Sequence, residues 1–172
     1  KMPLRLHAFP VSQPSRAVAW FLKANGITEV GYQLVNIMKG EHLTPEFYNK
    51  TPYQSVPVLE LEDGSFLTES GAILNYLASF FNKRADYPTD LQALARIHEA
   101  ELHHDTLARQ VTIVLIRAFL PVLMQKQTLA DAFAHIEANK AGLVYVLEFL
   151  NTRLGAQPFI AGKDFTVVDY LV

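Results

Sequence analysis

Cysteine is absent from the 172 residues. That absence excludes disulfides, thiolate metal sites and a cysteine nucleophile on this chain, and it fits a reducing compartment. Basic runs are absent too. Fifteen Lys and Arg lie scattered among 17 Asp and Glu, for a formal net charge of -2. Without a basic patch or aromatic–basic interleaving, nothing points to a nucleic-acid binder. No stretch reaches ~20 uninterrupted apolar residues, so no transmembrane helix is expected. The N-terminus "KMPLRLHAF" is too short and polar for a signal peptide. What is present is apolar: 50% of the residues, enough for a sizeable core in one or two domains. The chain opens on Lys1, and "DFTVVDYLV" stops inside an apolar pattern without a helix terminator. The native protein is expected to continue.

Residues 4–9 ("LRLHAF") read as a short strand. Pro14 suits the first turn of a helix, where its missing N–H has no partner to lose. Ala17, Val18, Phe21 and Leu22 give that helix one apolar face, and Asn25-Gly26 ends it. "VGYQLVNI" (30–37) reads as a second strand, parallel to the first because a helix joins them. A short helix fits Pro45 to Tyr48. Alternation from Val58, an Asp63-Gly64 turn and "SFLT" make a hairpin. Ser70 reads as the N-cap of the next helix.

From Asp90 the pattern becomes helical, with long periods from Asp90 to about Met124 and from Thr128 to about Leu154. Pro121 is expected to kink or end the first. Thr128 with Asp131 resembles a capping arrangement, Gly155 closes the second period, and Thr166 with Asp169 opens a further helix. The expected architecture is α/β plus all-α: a thioredoxin-like βαβ-ββα domain (1–81), a linker (82–89) and an incomplete helical domain (90–172).

Four features could carry chemistry. Val56-Pro57 opens the hairpin after the βαβ unit. A proline there can simply start a strand. In thioredoxin-like folds a cis-proline at this point turns the preceding backbone outward, ready to pair with an extended peptide. Glu69-Ser70 opens a helix, whose free N–H groups can bind a carboxylate while Glu69 pairs with an ammonium group. Together they suit an α-amino acid moiety. Ser12 follows a strand at the carboxyl edge of a parallel pair, where ligands collect. It can serve as a cap, or its hydroxyl can stabilise a ligand thiolate. An acyl nucleophile fits poorly, because "PVSQPS" lacks the Gly-x-Ser-x-Gly elbow. "HEAELHHDTLAR" invites a metal reading, but His98 and His103 are five apart and point about 140° apart on a helix. His103 shares a face with Glu99 alone, and two ligands are too few, so no metal site is expected.

The order of "SQPSRAVAWFLKANGI", "NIMKGEHLTPEFYNKTPYQSVPVLELEDGSFLTESGAI", "YPTDLQALARIHE" and "FIAGKDFTVVDYLV" resembles cytosolic glutathione transferases of the theta-like, serine-type group over essentially the whole chain. The resemblance implies an enzyme joining glutathione, as co-substrate, to small hydrophobic electrophiles, possible hydroperoxide reduction included. It implies no prosthetic group, a cytoplasmic location, a homodimer, and no nucleic-acid or membrane partner. Ser12 would hydrogen-bond the glutathione thiolate. Val56, with Pro57 cis, would pair with the cysteinyl unit, and Ser55 lies beside them. Glu69 and Ser70 would hold the γ-glutamyl end, with His42 near the glycyl carboxylate. His104 and Asp105 would approach the glutathione site of the partner subunit. Gln54-Ser55 stands where related chains often carry lysine before Val-Pro, which removes a charge near the glycyl carboxylate. A non-catalytic module, like the N-terminal part of elongation factor 1 gamma or a carrier of apolar ligands, is the rival.

Overall fold

The computed structural model describes residues 3–172. The chain divides into two compact units, one reaching from the N-terminus to Leu94 and including Thr166–Leu171, the other spanning Ala95–Phe165 with Val172.

The first unit is built on a four-stranded sheet. Strands β1 (Arg5–Ala8), β2 (Gly31–Leu34), β3 (Val58–Glu60) and β4 (Phe66–Thr68) lie in the order β2-β1-β3-β4. β1 pairs parallel with β2 and antiparallel with β3, and β3 pairs antiparallel with β4. The expected parallel pair and hairpin are therefore both present. Successive side chains point to opposite faces of a strand. One face carries Leu6 and its partner Leu59 against helices α1 (Gln13–Ala24) and α3 (Ser70–Phe80). There Val18, Phe21, Ile73, Leu74 and Leu77 are fully buried. The other face carries His7 and Val58, and Val58 joins Val35 and Phe47 in a smaller cluster under the one-turn helix α2 (Pro45–Tyr48).

Helix boundaries follow local chemistry. Pro at the start of α1 leaves no N–H to satisfy, and Asn25 caps its end. Gly26 then takes φ +62, a left-handed conformation open to glycine without steric penalty. The expected Ser70 cap is corrected: Glu69 is the N-cap of α3 and Ser70 its first helical residue. Glu69 adopts φ 68, which a local sequence pattern cannot foresee for a residue with a Cβ.

The second unit is helical. α4 (Leu91–His103) and α5 (Arg109–Leu123) are joined by a π-helical turn, His104–Ala108, so the single expected helix is really two segments. Pro121 sits inside the last turn of α5, which ends at Leu123. α6 (Leu129–Ala156) packs against α5 and runs through Gly155 instead of stopping there. The run Leu91–Leu123 contains a stretch long and apolar enough to cross a membrane, against expectation. Only 6% of that stretch is buried, and Arg96, Asp105, Arg109 and Arg117 punctuate the run. Thr166 and Asp169 form the expected capping box, but it opens a 3-10 turn, Val167–Tyr170.

Candidate functional site

The sheet register decides which residues meet. β1 ends at Ala8, and Ser12 follows it as the N-cap of α1. β3 runs antiparallel to β1, with Val58 opposite His7, so the start of β3 lies at the same edge as the end of β1. That brings Val56-Pro57 alongside. β4 reverses again, with Thr68 opposite Val58, so Glu69 and Ser70 emerge at this edge too. β2 also ends there, and the segment after it carries His42. Three stretches distant in sequence, at Ser12, Val56-Pro57 and Glu69-Ser70, thus converge on the carboxyl edge of the parallel pair.

Each group at the edge has free binding capacity. The Ser12 hydroxyl accepts a hydrogen bond from the Ser15 N–H at 3.4 Å. That capping bond uses an oxygen lone pair and leaves the hydroxyl proton to donate elsewhere. Cap and chemistry are therefore compatible roles. The Val56-Pro57 peptide bond is cis, as the sequence implied. Among the described residues, neither the N–H nor the C=O of Val56 has a hydrogen-bond partner. No side chain caps the N-terminus of α3, so its first N–H groups are open to an anion. Ser70 is buried beside the exposed Glu69. His42 is half-buried, and its Nδ1 is buried without a hydrogen-bond partner. Ser55 is half-buried next to Val56, and Gln54 before it takes φ 50.

His104 and Asp105 belong to the helical unit, in the π-helical turn, where His104 Nδ1 lies 3.2 Å from the Asp105 carboxylate. His104 is buried, whereas the Asp105 side chain is 53% exposed. In the same unit His103 Nδ1 lies 3.2 Å from Arg153. No group of three or more His, Asp or Glu able to hold a metal ion occurs among the described residues.

Sequence reasoning missed two polar features. A cleft of about 430 Å³ lies on the sheet face under α2, lined by Arg5, His7, Phe47, Lys50 and Glu60 among others. In it His7 Nε2 lies 2.9 Å from the Glu60 carboxylate. That hydrogen bond, ahead of the fields of His7, Arg5 and Lys50, holds Glu60 below the usual carboxylate range. The cross-strand placement of His7 and Glu60 on one face was the available signal. The second is Gln13, between Ser12 and Pro14, whose amide donates to the Leu171 carbonyl.

A cis Val56-Pro57 bond, an α3 N-terminus without a side-chain cap and the Ser12 hydroxyl lie on one sheet edge of a thioredoxin-like unit. The family profile "Glutathione S-transferase, N-terminal domain" matches residues 6–85. The chain is 40% identical to rat glutathione S-transferase theta-2 over 99% of its own length and 69% of the relative's. Against the human theta-2 enzyme it is 37% identical, again over 99% and 69%. The chain belongs to the glutathione S-transferase family, and its likeness is to the theta class. The crystal structure of human theta-2 in complex with glutathione and an unknown ligand superposes with a TM-score of 0.83 at 36% identity, covering 98% of this chain and 68% of that one. Human glutathione-S-transferase T1-1 in its apo form gives 0.79 at 32% identity, over 98% and 70%.

Proposed function

We propose that this chain is a glutathione transferase, with Ser12 as the donor that stabilises glutathione thiolate for attack on small hydrophobic electrophiles. The observation that carries the reading is the Ser12 hydroxyl. It accepts from Ser15 yet keeps its own proton free, on the sheet edge shared by Val56 and Glu69. The unpaired backbone of Val56 would add the cysteinyl unit as a short extra strand beside Pro57. Glu69 would meet the γ-glutamyl ammonium, and the first turn of α3, with Ser70, its carboxylate. His42 and Ser55 would flank the glycyl end. His104 and Asp105 would serve the partner subunit of a cytoplasmic homodimer. Residues 1–81 form the glutathione-binding domain in this reading, 82–89 the linker and 90–172 the helical domain. The family and the theta-class likeness favour it over a non-catalytic assembly module.

The thiol must lose its proton before it attacks. A hydrogen bond from Ser12 to the charged sulfur is worth ~1.5–3 kcal/mol. That lowers the thiol pKa by about one to two units. The sulfur then forms a bond to carbon as the leaving group departs or an epoxide or enal opens. With a hydroperoxide, the thiolate attacks the terminal oxygen, the O–O bond breaks to give alcohol and glutathione sulfenic acid, and a second glutathione thiol displaces water from it to form the disulfide. The chain's residues orient the tripeptide and hold the thiolate.

Ser12→Ala tests this. Ultraviolet thiolate absorbance against pH should show the bound thiol pKa rising by about one to two units. Conjugation near neutral pH should fall roughly ten- to a hundredfold, with modest loss of glutathione affinity. Unchanged activity in the variant would reduce Ser12 to a helix cap.

A further inference from the structure

Ser12 is useful only if its hydroxyl points where the sulfur will be, and its own bonds hold it loosely. The capping contact from Ser15 N–H is long, at 3.4 Å. Around it, Ser12 N–H donates to the Phe9 carbonyl at 3.0 Å, and Arg16 reaches the Val11 carbonyl at 2.8 Å. These bonds are local, so they can move together as one loop. Gln13 differs. Its side-chain amide donates to the main-chain carbonyl of Leu171, 158 residues away.

That acceptor is itself fixed. Leu171 is buried at the end of the 3-10 turn Val167–Tyr170, within the same compact unit as Ser12. The turn begins with the Thr166–Asp169 capping box, and its Val167 N–H donates to the Asp86 carbonyl at 2.9 Å. The Tyr170 ring sits edge-on to Trp20 and Phe21 of α1, with centroids 5.4 and 5.5 Å away. At the far end of α1, Asn25 bonds both Asp86, at 2.9 Å, and the Tyr170 hydroxyl, at 3.4 Å. The turn therefore splints α1 along its length, and Gln13 is the attachment at the catalytic end. With Nε2 committed to Leu171, the amide plane is set. Its Oε1 is buried without a hydrogen-bond partner.

We propose that Gln13 is a positioning residue: by tying the first turn of α1 to the Leu171 carbonyl, it aims the Ser12 hydroxyl at the thiolate. This rests on the proposed role of Ser12. The chemistry suits the task, because a neutral amide anchors the turn without placing a charge beside a developing anion. Small displacements of such a donor weaken a directional hydrogen bond steeply.

The test uses Gln13→Met, which keeps length without a donor, and Gln13→Asn, which keeps the amide but shortens the reach. Both are measured with glutathione and with S-methylglutathione, which has no thiol to ionise. The proposal expects the bound-thiol pKa to rise by about half a unit or more in each, roughly a threefold loss of thiolate at fixed pH. It also expects kcat to fall, with S-methylglutathione affinity unchanged. Should Gln13→Met fail to fold, Gln13→Asn decides alone. An unchanged thiol pKa, with Ser12→Ala shifting it, overturns the positioning role and leaves the Ser12 reading intact. A parallel loss of S-methylglutathione affinity with no pKa shift also overturns it, showing Gln13 to be merely structural. If Ser12→Ala itself leaves the thiol pKa unmoved, the underlying reading fails first.

Discussion

The two units solve the same burial problem differently. The first packs one face of its sheet tightly against α1 and α3: Phe21, Leu59, Ile73 and Leu77 are all fully buried. The helical unit packs its centre with small or few groups, Ile97, Ala100, Ala118, Ala132, Val146 and Ile160. Around them Leu102, Leu123, Phe133, Tyr145 and Leu147 stay more than half exposed. A helix apolar on several sides, such as α6, gains little from any single packed face. Stability should therefore be concentrated in the unit that carries Ser12. The apolar surface of the other is better suited to contacts than to holding itself together.

The sharpest way to break that contrast is a pair of matched truncations. Phe21→Ala removes a ring from the packed core and should lower unfolding free energy by about 3–5 kcal/mol. Phe133→Ala, at 61% exposure, should change it by at most about 0.5 kcal/mol. Urea unfolding followed by near-ultraviolet and far-ultraviolet circular dichroism measures both. Equal losses would show that the helical unit hides a core of its own around Phe133.

A second pair of observations lies inside the first unit, where stability and binding pull apart. Glu69 takes φ 68, a left-handed conformation that a residue with a Cβ occupies at about 1–3 kcal/mol. Glu69→Gly relieves it and should stabilise the fold by about 1 kcal/mol, allowing for glycine's greater unfolded entropy. The same change deletes the carboxylate proposed to meet the γ-glutamyl ammonium, so glutathione affinity should drop. A variant with raised melting temperature and unchanged glutathione affinity by calorimetric titration would separate Glu69 from the binding site.

What the sequence disclosed follows the same division. Strand alternation, Pro14 and the Asp63-Gly64 turn all act locally, so the sheet unit and the convergence of Ser12, Val56 and Glu69 were legible. The cap of α3 was misread, because the pattern points to Ser70 while the strained backbone of Glu69 is set by tertiary packing. The π-helical turn at His104–Ala108 carries no glycine or proline to announce it. Gln13 was invisible for a different reason. Its partner is a main-chain carbonyl 158 residues away, and a main-chain carbonyl leaves no mark in residue identity.

The last pair is the most discriminating, because one motif occurs in both units. Thr166 and Asp169 form a capping box in the first, with Thr166 buried, and Thr128 and Asp131 form another in the second, with Thr128 exposed. In each, the threonine N–H donates to the aspartate at 2.8 Å. Removing a cap at a buried site leaves backbone groups that water reaches poorly, whereas at an exposed site water replaces it. Thr166→Ala should therefore cost near 2 kcal/mol and Thr128→Ala about 0.5 kcal/mol, the two ends of the usual capping range. The exposed box should also leave a pH signature. The Thr128 backbone N–H, then its hydroxyl, hold Asp131 below the usual aspartate range. A depressed folded-state pKa gives stability that is present above the ordinary aspartate pKa and lost as pH falls through the depressed one. Thr128→Ala weakens that hold, so its deficit against the parent should be largest near neutral pH and shrink as acid protonates Asp131 in both. A deficit that stays constant down the acid limb would mean that Asp131 gains nothing from the box, and that the N-terminus of α6 is held by packing instead.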